Sequence, residues 1–248
     1  LNNVCVPFRV PREHLSSFLP YCEELGIRGL SVSNPHREAA IRGLSRVDKA
    51  VDRIGSVATV VFQENGSLGY NIDSRAVVAG LAKASGVKTE FPLEGKRALL
   101  LGAGAAARAV AQGLTQAKAH IVVASRTIDP ARELAEMVDG RAVEWDSRFV
   151  VHCDLIVNCT PVGMHPNVDE TPFDVRHLKR NLLVADMVYN PEQTLLVKEA
   201  KGLGCRVVTG VDTFVRQAAI QFKVFSGQAA PLEIMRSALR RSIGAAKM

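Results

Sequence analysis

The stretch Ala98-Leu-Leu-Leu-Gly102-Ala-Gly104-Ala-Ala-Ala107-Arg108 carries the strongest structural signal in this sequence. An apolar run is followed by two closely spaced glycines and then by a run of helix-forming residues, which predicts a strand, a tight turn and a helix. Gly102 permits the turn, Gly104 leaves the backbone open to a pyrophosphate, and Ala107 lets the helix pack closely on the strand. The free N–H groups at the start of such a helix bind phosphate. The stretch has the Gly-x-Gly-x-x-Ala form of the dinucleotide-binding fingerprint.

The residues after the next predicted strand, at 119–124, indicate which dinucleotide binds. Where an NAD site carries an acidic residue, this chain has Ser125 and Arg126. A guanidinium binds a 2′-phosphate through paired, charge-assisted hydrogen bonds, so the pattern favours NADP over NAD. The alternative is a glycine-rich turn that binds nothing, with Arg126 as a solvated surface charge.

The spacing of the apolar runs predicts an α/β protein with two domains. From Lys96 onward, strands alternate with helices, which indicates a parallel sheet with helices on both faces. We expect a substrate-binding domain at 1–74, a Rossmann-like, doubly wound NADP-binding domain at 75–211, and C-terminal helices at 212–248 that return to the first domain. Within the first domain we expect strands at 4–8 and 29–33, a helix from Pro35, and a hairpin over 57–71 around Glu64-Asn-Gly.

The composition is that of an ordinary globular protein, with 248 residues of which 47% are hydrophobic and 23% charged. No apolar run reaches the length of a membrane span. The five cysteines are scattered without metal-ligand spacing, so we expect reduced thiols, a cytoplasmic location and no metal. The net charge of the chain is +6, which is compatible with binding to nucleic acid. However, the densest basic run, at 236–247, contains no aromatic residues. That run predicts a solvated helix face and no nucleic-acid partner.

Several polar residues follow predicted strands or interrupt apolar helices, and these are candidates for ligand contacts. For those at the start of a helix, the alternative is a capping role. For the candidates in loops, the alternative is that they only form a turn. For the polar residue inside a helix, the alternative is a hydrogen bond to the backbone in place of a ligand. The candidates are Ser33, Arg37, Asp73, Thr160, Tyr189 and Gln217.

The order of these motifs resembles the shikimate dehydrogenase family over essentially the whole chain. The family's Val-Thr-x-Pro-x-Lys turn, its Tyr-Asn-Thr-Asp motif, its Gly-Ala-Gly-Gly-Ala-Ala-Arg-Ala turn and its Asn-Arg-Thr motif all have counterparts, with Ala105 in place of one glycine. The matching segments are Val32–Arg37, Tyr70–Asp73, Gly102–Ala109 and Ser125–Thr127, followed by Asn158–Met164, Asp186–Tyr189 and Gln217.

The resemblance implies NADPH-dependent reduction of 3-dehydroshikimate to shikimate, or the reverse, in chorismate and aromatic amino-acid biosynthesis. It implies that Asp73 and the residue at position 37 form the catalytic pair. It also implies that Ser33, Tyr189 and Gln217 bind substrate. The residues that it implies for NADP are Gly102, Gly104, Ala105, Ala106, Ser125, Arg126, Thr127, Thr160 and Gly210.

Two positions depart from the family pattern. The catalytic lysine is replaced by Arg37, whose guanidinium stays protonated and is a poor proton donor. The asparagine of the family's Val-Asn-Thr motif, which holds substrate, is replaced by Ala58. These departures predict impaired activity and leave two alternatives open. One is a catalytically degenerate NADP-binding relative that acts as a sensor or partner subunit, and the other is a dehydrogenase with an altered substrate, for instance quinate.

The start of the sequence also differs from the family pattern. The family's first strand and helix, with a Ser-x-Ser pair for the substrate carboxylate, have no counterpart here, and the chain begins at Leu1 without methionine. The resemblance therefore implies either a piece of a longer polypeptide or a chain that begins inside a family domain. Fusion to, or association with, a dehydroquinate dehydratase is compatible with this start.

Overall fold

The computed structural model describes residues 2–245 and divides the chain into two compact units. The first comprises Leu1–Ile72 and Ala219–Ala230, and the second comprises Asp73–Ala218 and Pro231–Met248. Each unit combines helices with one sheet, so the α/β architecture is confirmed. The domain boundaries expected at 74 and 211 stay predictions. Among residues 2–245, no helix combines the length and the apolar character that crossing a membrane requires.

The first unit is built on a four-stranded sheet with the strand order β1-β3-β4-β2. Its two central strands form the expected hairpin, in which Gln63 pairs with Gly66 across a two-residue turn. The first strand is antiparallel to the third, and the second is parallel to the fourth. The elements are α1 (Leu15–Glu24), β1 (Gly29–Ser31), β2 (Arg46–Val47), α2 (Lys49–Ile54), β3 (Thr59–Gln63) and β4 (Gly66–Tyr70).

Two of the elements expected in the first unit do not form. Residues 4–8 have no regular secondary structure; Pro7 lacks a backbone donor, and no strand of the described chain pairs with the segment. The helix expected from Pro35 is replaced by turns and a short 3-10 helix, Ala39–Gly43. The Arg37 carbonyl accepts a hydrogen bond from the N–H of Val57 at 2.9 Å, which turns it away from helical pairing.

The second unit is built on six parallel strands in the order β10-β9-β8-β5-β6-β7. The strand that comes first along the chain, β5, lies inside the sheet. The next two strands lie on one side of it and the last three on the other, which is the doubly wound order of dinucleotide-binding sheets. The apolar runs near 97–101, 119–124, 154–158, 182–186 and 205–208 predict five of these strands to within a residue or two. The strand β7 was missed because only Val143 in it is buried. The strands are β5 (Arg97–Leu101), β6 (His120–Ser125), β7 (Arg141–Glu144), β8 (Leu155–Asn158), β9 (Leu183–Asp186) and β10 (Arg206–Val208).

Both faces of this sheet are covered. Ala98 and Leu100 of β5 belong to one hydrophobic cluster, whereas Leu99 and Leu101 belong to a second, and all four are fully buried. Such alternation between two cores explains why the strand is a continuous apolar run. The remaining helices are α3 (Asp73–Ser85), α4 (Ala105–Gln116), α5 (Ile128–Met137), α6 (Leu195–Gly202), α7 (Gly210–Ser226) and α8 (Leu232–Ala245).

Candidate active site

The glycine turn between β5 and α4 is shaped by the close approach of two loops. Gly102 has a φ of +104°, a conformation that residues with a Cβ rarely adopt. A Cβ on Gly102 would lie 3.1 Å from Cγ2 of Thr160. The loop after β5 therefore lies against the loop after β8, at the carboxyl edge of the sheet where doubly wound folds bind ligands.

The backbone just beyond this turn is open. A Cβ on Gly104 would meet no atom of the described chain within 4 Å, so internal packing does not require glycine there. Gly104 and Ala106 are exposed and Ala105 is half-buried, whereas Ala107 is fully buried in the core. The first N–H groups and the positive dipole end of α4 lie on this open side. The turn therefore fits the pyrophosphate of a dinucleotide.

Three polar residues follow one another at the end of β6. Ser125 ends the strand, and Arg126 and Thr127 are exposed before α5 begins. Within residues 2–245 the Arg126 guanidinium makes no hydrogen bond or ion pair. The carbonyl of Ala124 accepts a hydrogen bond from the N–H of Gly102 at 2.7 Å, which joins this strand end to the glycine turn. A free cation at this position fits a 2′-phosphate.

The loop that carries Thr160 is fixed by Asn158 at the end of β8. The hydroxyl and the backbone N–H of Thr160 both donate to Oδ1 of Asn158, at 2.7 and 3.0 Å. The amide Nδ2 of Asn158 donates in turn to the carbonyl of Val162 at 3.2 Å and to the Asp186 carboxylate at 2.9 Å. Because Asn158 is fully buried and both ends of its amide are paired, Thr160 is held in one place.

Asp186 is a buried carboxylate that joins three segments of the second unit. Its Oδ1 accepts from Asn158 and from the N–H of Val188 at 2.9 Å each, and its Oδ2 accepts from the Thr194 hydroxyl at 2.7 Å. Burial raises the pKa of Asp186 from 3.8 to about 6, although all three donors act in the opposite direction. Burial, followed by the charge of Asp186, also raises the pKa of the neighbouring Cys159 thiol.

The start of α7 lies against the loop after β9. A Cβ on Gly210 would collide with the carbonyl oxygen of Val188, so only glycine permits this approach. Tyr189 is 44% exposed, and its ring packs against Phe214 with the centroids 5.2 Å apart. Gln217 is half-buried one turn further along α7, and its side chain makes no hydrogen bond within residues 2–245. Tyr189 and Gln217 are therefore available to a ligand.

In the first unit, a turn after β1 carries Ser33 and Arg37. The N–H of Val32 donates to the carbonyl of Ala58 at 2.9 Å, so the turn is joined to the segment before β3. The Nε of Arg37 donates to the carbonyl of Val32 at 3.0 Å, which holds the guanidinium along the turn. Ser33 is exposed, and Ala58 is 1% exposed with no side-chain donor.

Asp73 occupies the first position of α3 in the second unit. The helix begins at this residue, as the sequence predicts, and Asp73 is 8% exposed. The positive dipole end of a helix stabilises a carboxylate in its first turn. Asp73 is thus a buried acidic group at the positive end of a helix dipole.

The structure brings the cofactor candidates together and distributes the substrate candidates over the two units. The glycine turn, Thr160 and Gly210 lie on loops after parallel strands of the second unit. Ser33 and Arg37 belong to the first unit, whereas Asp73, Tyr189 and Gln217 belong to the second. The roles of these residues stay predictions.

Two features were missed by sequence reasoning. The two segments that contain Asn158 and Asp186 were noticed, but the buried network that joins both residues to Thr194 was not. A threonine before the helix signal of α6 could have suggested it. Gln221 was missed altogether, although its amide donates to the hydroxyls of Ser31 and Thr59. Its only signal was a second glutamine in the apolar helix, one turn after Gln217.

Comparison with known proteins identifies the class and then the family. The fold and the glycine turn define a dinucleotide-binding protein with a Rossmann-like unit. Family models match residues 1–60 (shikimate dehydrogenase substrate binding domain), 97–189 (NADP oxidoreductase coenzyme F420-dependent) and 210–240 (shikimate 5′-dehydrogenase C-terminal domain). The NADP(+)-dependent shikimate dehydrogenase of Methanopyrus kandleri is 39% identical over 96% of this chain and 85% of the relative. The chain belongs to the shikimate dehydrogenase family.

Solved structures agree with this assignment. A shikimate dehydrogenase in complex with NADP+ has a TM-score of 0.86 at 31% identity, over 95% of this chain and 84% of that one. Shikimate 5-dehydrogenase from Thermus thermophilus, in complex with NADP(H) and shikimate, has a TM-score of 0.82 at 34% identity, over 94% and 85%. Two further similar structures are a quinate dehydrogenase from Corynebacterium glutamicum in complex with NAD and a chorismate mutase/shikimate 5-dehydrogenase fusion protein from Clostridium acetobutylicum, at 30% and 28% identity with TM-scores of 0.81 and 0.84. The first match covers 90% of this chain and 81% of the other, and the second 96% and 86%.

Proposed function

We propose that this chain is an NADP-dependent shikimate dehydrogenase, which interconverts 3-dehydroshikimate and shikimate in the biosynthesis of chorismate and aromatic amino acids. The observation that carries the proposal is the exposed Arg126, which has no hydrogen-bond or ion-pair partner in the described part of the chain, next to an open glycine turn in a chain of this family. An acidic residue at the same strand end would favour NAD.

The cofactor, when bound, supplies or accepts the hydride. Ser125, Arg126 and Thr127 bind its 2′-phosphate, since they are adjacent at the end of β6 and Arg126 has no partner within residues 2–245. The N–H groups around Gly104 bind the pyrophosphate, because the backbone there is open. The remaining cofactor candidates are Gly102, Ala105, Ala106, Thr160 and Gly210, which lie at the same sheet edge or at the start of α7.

Proton transfer is assigned to Asp73 and charge stabilisation to Arg37. Asp73 is a buried carboxylate that can accept the hydroxyl proton when an alcohol is oxidised and return that proton to the oxygen when a carbonyl is reduced. Arg37 stabilises a developing alkoxide by its fixed positive charge, since a guanidinium does not give up a proton in proteins. Ser33, Tyr189 and Gln217 hold substrate hydroxyl or carboxylate groups.

The experiment that tests this proposal follows NADPH formation by absorbance after shikimate and NADP are added to the full chain. We expect turnover, and Asp73→Asn should lower kcat by about 100-fold or more, since positioned acid–base groups contribute at least that much. Asp129→Asn, at an exposed carboxylate of α5, is the matched control and should turn over at the wild-type rate. Turnover that survives Asp73→Asn unchanged would contradict the assigned role.

A second candidate function is favoured by the replacement of two site residues. Ala58 has no side-chain hydrogen bond to offer, and the cation at position 37 is a guanidinium. A chain that binds NADPH without turning over shikimate would act as a sensor or partner subunit. Oxidation of quinate with little oxidation of shikimate would instead identify an altered substrate.

The cellular setting belongs to the same proposal. The five cysteines are unpaired, which supports a reducing compartment such as the cytoplasm. The similar fusion protein carries a chorismate mutase, whereas we propose a dehydroquinate dehydratase as the fused or associated partner because it would supply the ketone substrate. Copurification of the two activities from cells would test this association.

A further inference from the structure

The helix α8 binds two other segments of the second unit through a pair of arginines. The Nε and Nη2 atoms of Arg240 donate to Oε2 and Oε1 of Glu192 at 2.8 and 2.7 Å, which makes this ion pair bidentate. The Nη1 atom of Arg236 donates to Oδ1 of Asp212. Glu192 lies in the loop after β9, and Asp212 lies in the first turn of α7. One helix therefore joins that loop to the start of α7.

The attachment point of Arg236 is a fixed part of the fold. The Asp212 carboxylate accepts from the Thr209 hydroxyl at 2.9 Å and from the Thr209 N–H at 3.2 Å. In return, the N–H of Asp212 donates to the Thr209 hydroxyl oxygen at 3.2 Å. This reciprocal arrangement is a capping box, which fixes the first turn of a helix. Arg236 thus anchors α8 where α7 begins.

The loop that Arg240 binds carries Tyr189. The loop runs between Val188 and Thr194, which both bind the buried carboxylate at the end of β9. Glu192 lies between these two points, and its side chain is only 19% exposed. Among residues 2–245, no other cation pairs with Glu192. Loss of Arg240 would therefore leave a mostly covered carboxylate without a partner and release this part of the loop.

The two segments that α8 joins carry two of the residues proposed to bind substrate. Tyr189 lies on the loop, and Gln217 lies on α7. The ring of Tyr189 packs against Phe214 of α7 with the centroids 5.2 Å apart. Aromatic rings can pack at several offsets, whereas a bidentate arginine–carboxylate pair has a defined geometry. The ion pairs of α8 therefore fix the spacing between Tyr189 and Gln217 more closely than the ring contact does.

The helix α8 is attached to the second unit from outside its cores. None of the side chains of residues 232–244 is buried. Arg236 and Arg240 lie on the same side of the helix, because residues four apart are neighbours on a helical surface. The next residue, Arg241, is exposed and makes no hydrogen bond or ion pair within residues 2–245. Changes to these arginines therefore alter surface attachments of α8 and leave the packing of the cores in place.

We propose that Arg236 and Arg240 are positioning residues for the substrate. They hold the loop of Tyr189 against the start of α7, so that Tyr189 and Gln217 bind the same polyhydroxylated ring acid. This inference rests on the proposed function, because it concerns how the substrate-binding side chains of that reaction are held.

The test is isothermal titration calorimetry of the full chain with shikimate and, separately, with NADPH. Arg240→Glu should raise the Kd for shikimate about fivefold, the upper end of the effect of a partly exposed ion pair, and change the Kd for NADPH less than about twofold. Arg236→Gln should raise the Kd for shikimate by a similar factor. Exchanging the charges, with Arg240→Glu and Glu192→Arg together, should return the Kd for shikimate to within about twofold of the wild type, because the ion pair forms again.

A second variant and a matched control complete the test. Glu192→Gln breaks the same ion pair without bringing two carboxylates together, and should also raise the Kd for shikimate about fivefold; it provides the measurement if Arg240→Glu does not fold. The control is Arg241→Glu, which makes the same charge change at the neighbouring residue and should bind shikimate like the wild type.

Three results would contradict the inference while leaving the proposed function in place. A purely structural role predicts lower melting temperatures for Arg240→Glu and Glu192→Gln with less than about a twofold change in the Kd for shikimate. An equal loss of affinity in Arg241→Glu, or no recovery after the charge exchange, would assign the effect to net charge and not to the ion pair. A wild-type chain that binds NADPH but neither shikimate nor quinate would instead overturn the proposed function, and the inference with it.

Discussion

Replacing Asp186 with asparagine should remove a pH dependence from the stability of the second unit. Asp186 is 1% exposed, and burial raises its pKa from 3.8 to about 6. Asparagine has nearly the same shape, so its Oδ1 can still accept from Asn158 and Val188. Its Nδ2 can donate to Thr194, whose hydroxyl oxygen now accepts from the N–H of Val197 at 3.2 Å and has a second lone pair.

The sign follows from proton binding in the two states. A carboxyl group whose pKa is higher in the folded state holds more protons there than in the unfolded state between the two pKa values. The free energy of unfolding therefore falls as the pH rises from about 4 to about 6. A difference of about two pKa units, at about 1.4 kcal/mol each, amounts to about 3 kcal/mol from Asp186. The variant should lack this fall.

The assay is urea unfolding at a series of pH values, followed by tryptophan fluorescence. Trp145 is the single tryptophan of the chain and lies in the second unit, packed against one of its cores, so it reports on the unit that contains Asp186. The free energy of unfolding of Asp186→Asn, minus that of the wild type, should rise by about 2 kcal/mol between pH 4 and pH 6, and by about 3 kcal/mol over the full range from below pH 4 to above pH 6.

The control is Asp174→Asn in the same unit. Hydrogen bonds from Arg176 lower the pKa of Asp174 to about 2, so its contribution is present above about pH 4 and is lost as the pH falls below that value. The control should therefore leave the change between pH 4 and pH 6 as in the wild type. Equal pH profiles for the wild type and Asp186→Asn would refute a raised pKa for the buried Asp186 carboxyl.

Three further changes test the site. Arg126→Ala should weaken NADPH binding by about 10- to 100-fold, the loss expected for charge-assisted hydrogen bonds, and weaken NADH binding much less; equal losses, measured by cofactor fluorescence, would rule out a 2′-phosphate contact. Gly104→Ala should weaken NADPH binding and change the free energy of unfolding by less than about 0.5 kcal/mol. Gly210→Ala should lower the free energy of unfolding by about 1–3 kcal/mol, because its new Cβ would collide with the backbone. A larger loss of stability for Gly104→Ala than for Gly210→Ala would contradict these two roles. Arg37→Lys combined with Ala58→Asn should raise kcat for shikimate oxidation at least about tenfold if only proton transfer and one substrate contact limit the rate, and no gain would point to another role.

The second unit could be predicted closely because its local and long-range signals agree. The β5 strand is apolar at every buried position, Gly102 and Gly104 mark the turn, and Ala107 allows the helix to pack, so each residue supports the same doubly wound sheet. The strand β7 was missed because a four-residue edge strand with one buried side chain has almost no pattern to detect.

The first unit was harder because its elements depend on distant partners. Residues 4–8 form a short apolar run that is typical of a strand, but strand formation requires a neighbouring strand in space, which composition does not reveal. The Arg37 carbonyl bonds to Val57 and not to a helical partner, and no local propensity encodes that choice. The contacts of Gln221 could not be predicted for the same reason, since its hydrogen-bond acceptors lie more than 160 positions away in the sequence.

The division of the first unit into two chain segments affects how it can form during synthesis. Its strands are translated first, yet the segment Ala219–Ala230, which supplies Phe225 and Gln221, emerges from the ribosome only after the whole of Asp73–Ala218. Domains usually fold in the order in which they are made. Here the second unit can fold completely before the helical residues that complete the first unit have been synthesised. Nascent chains of increasing length should therefore acquire protease resistance in the second unit before the first.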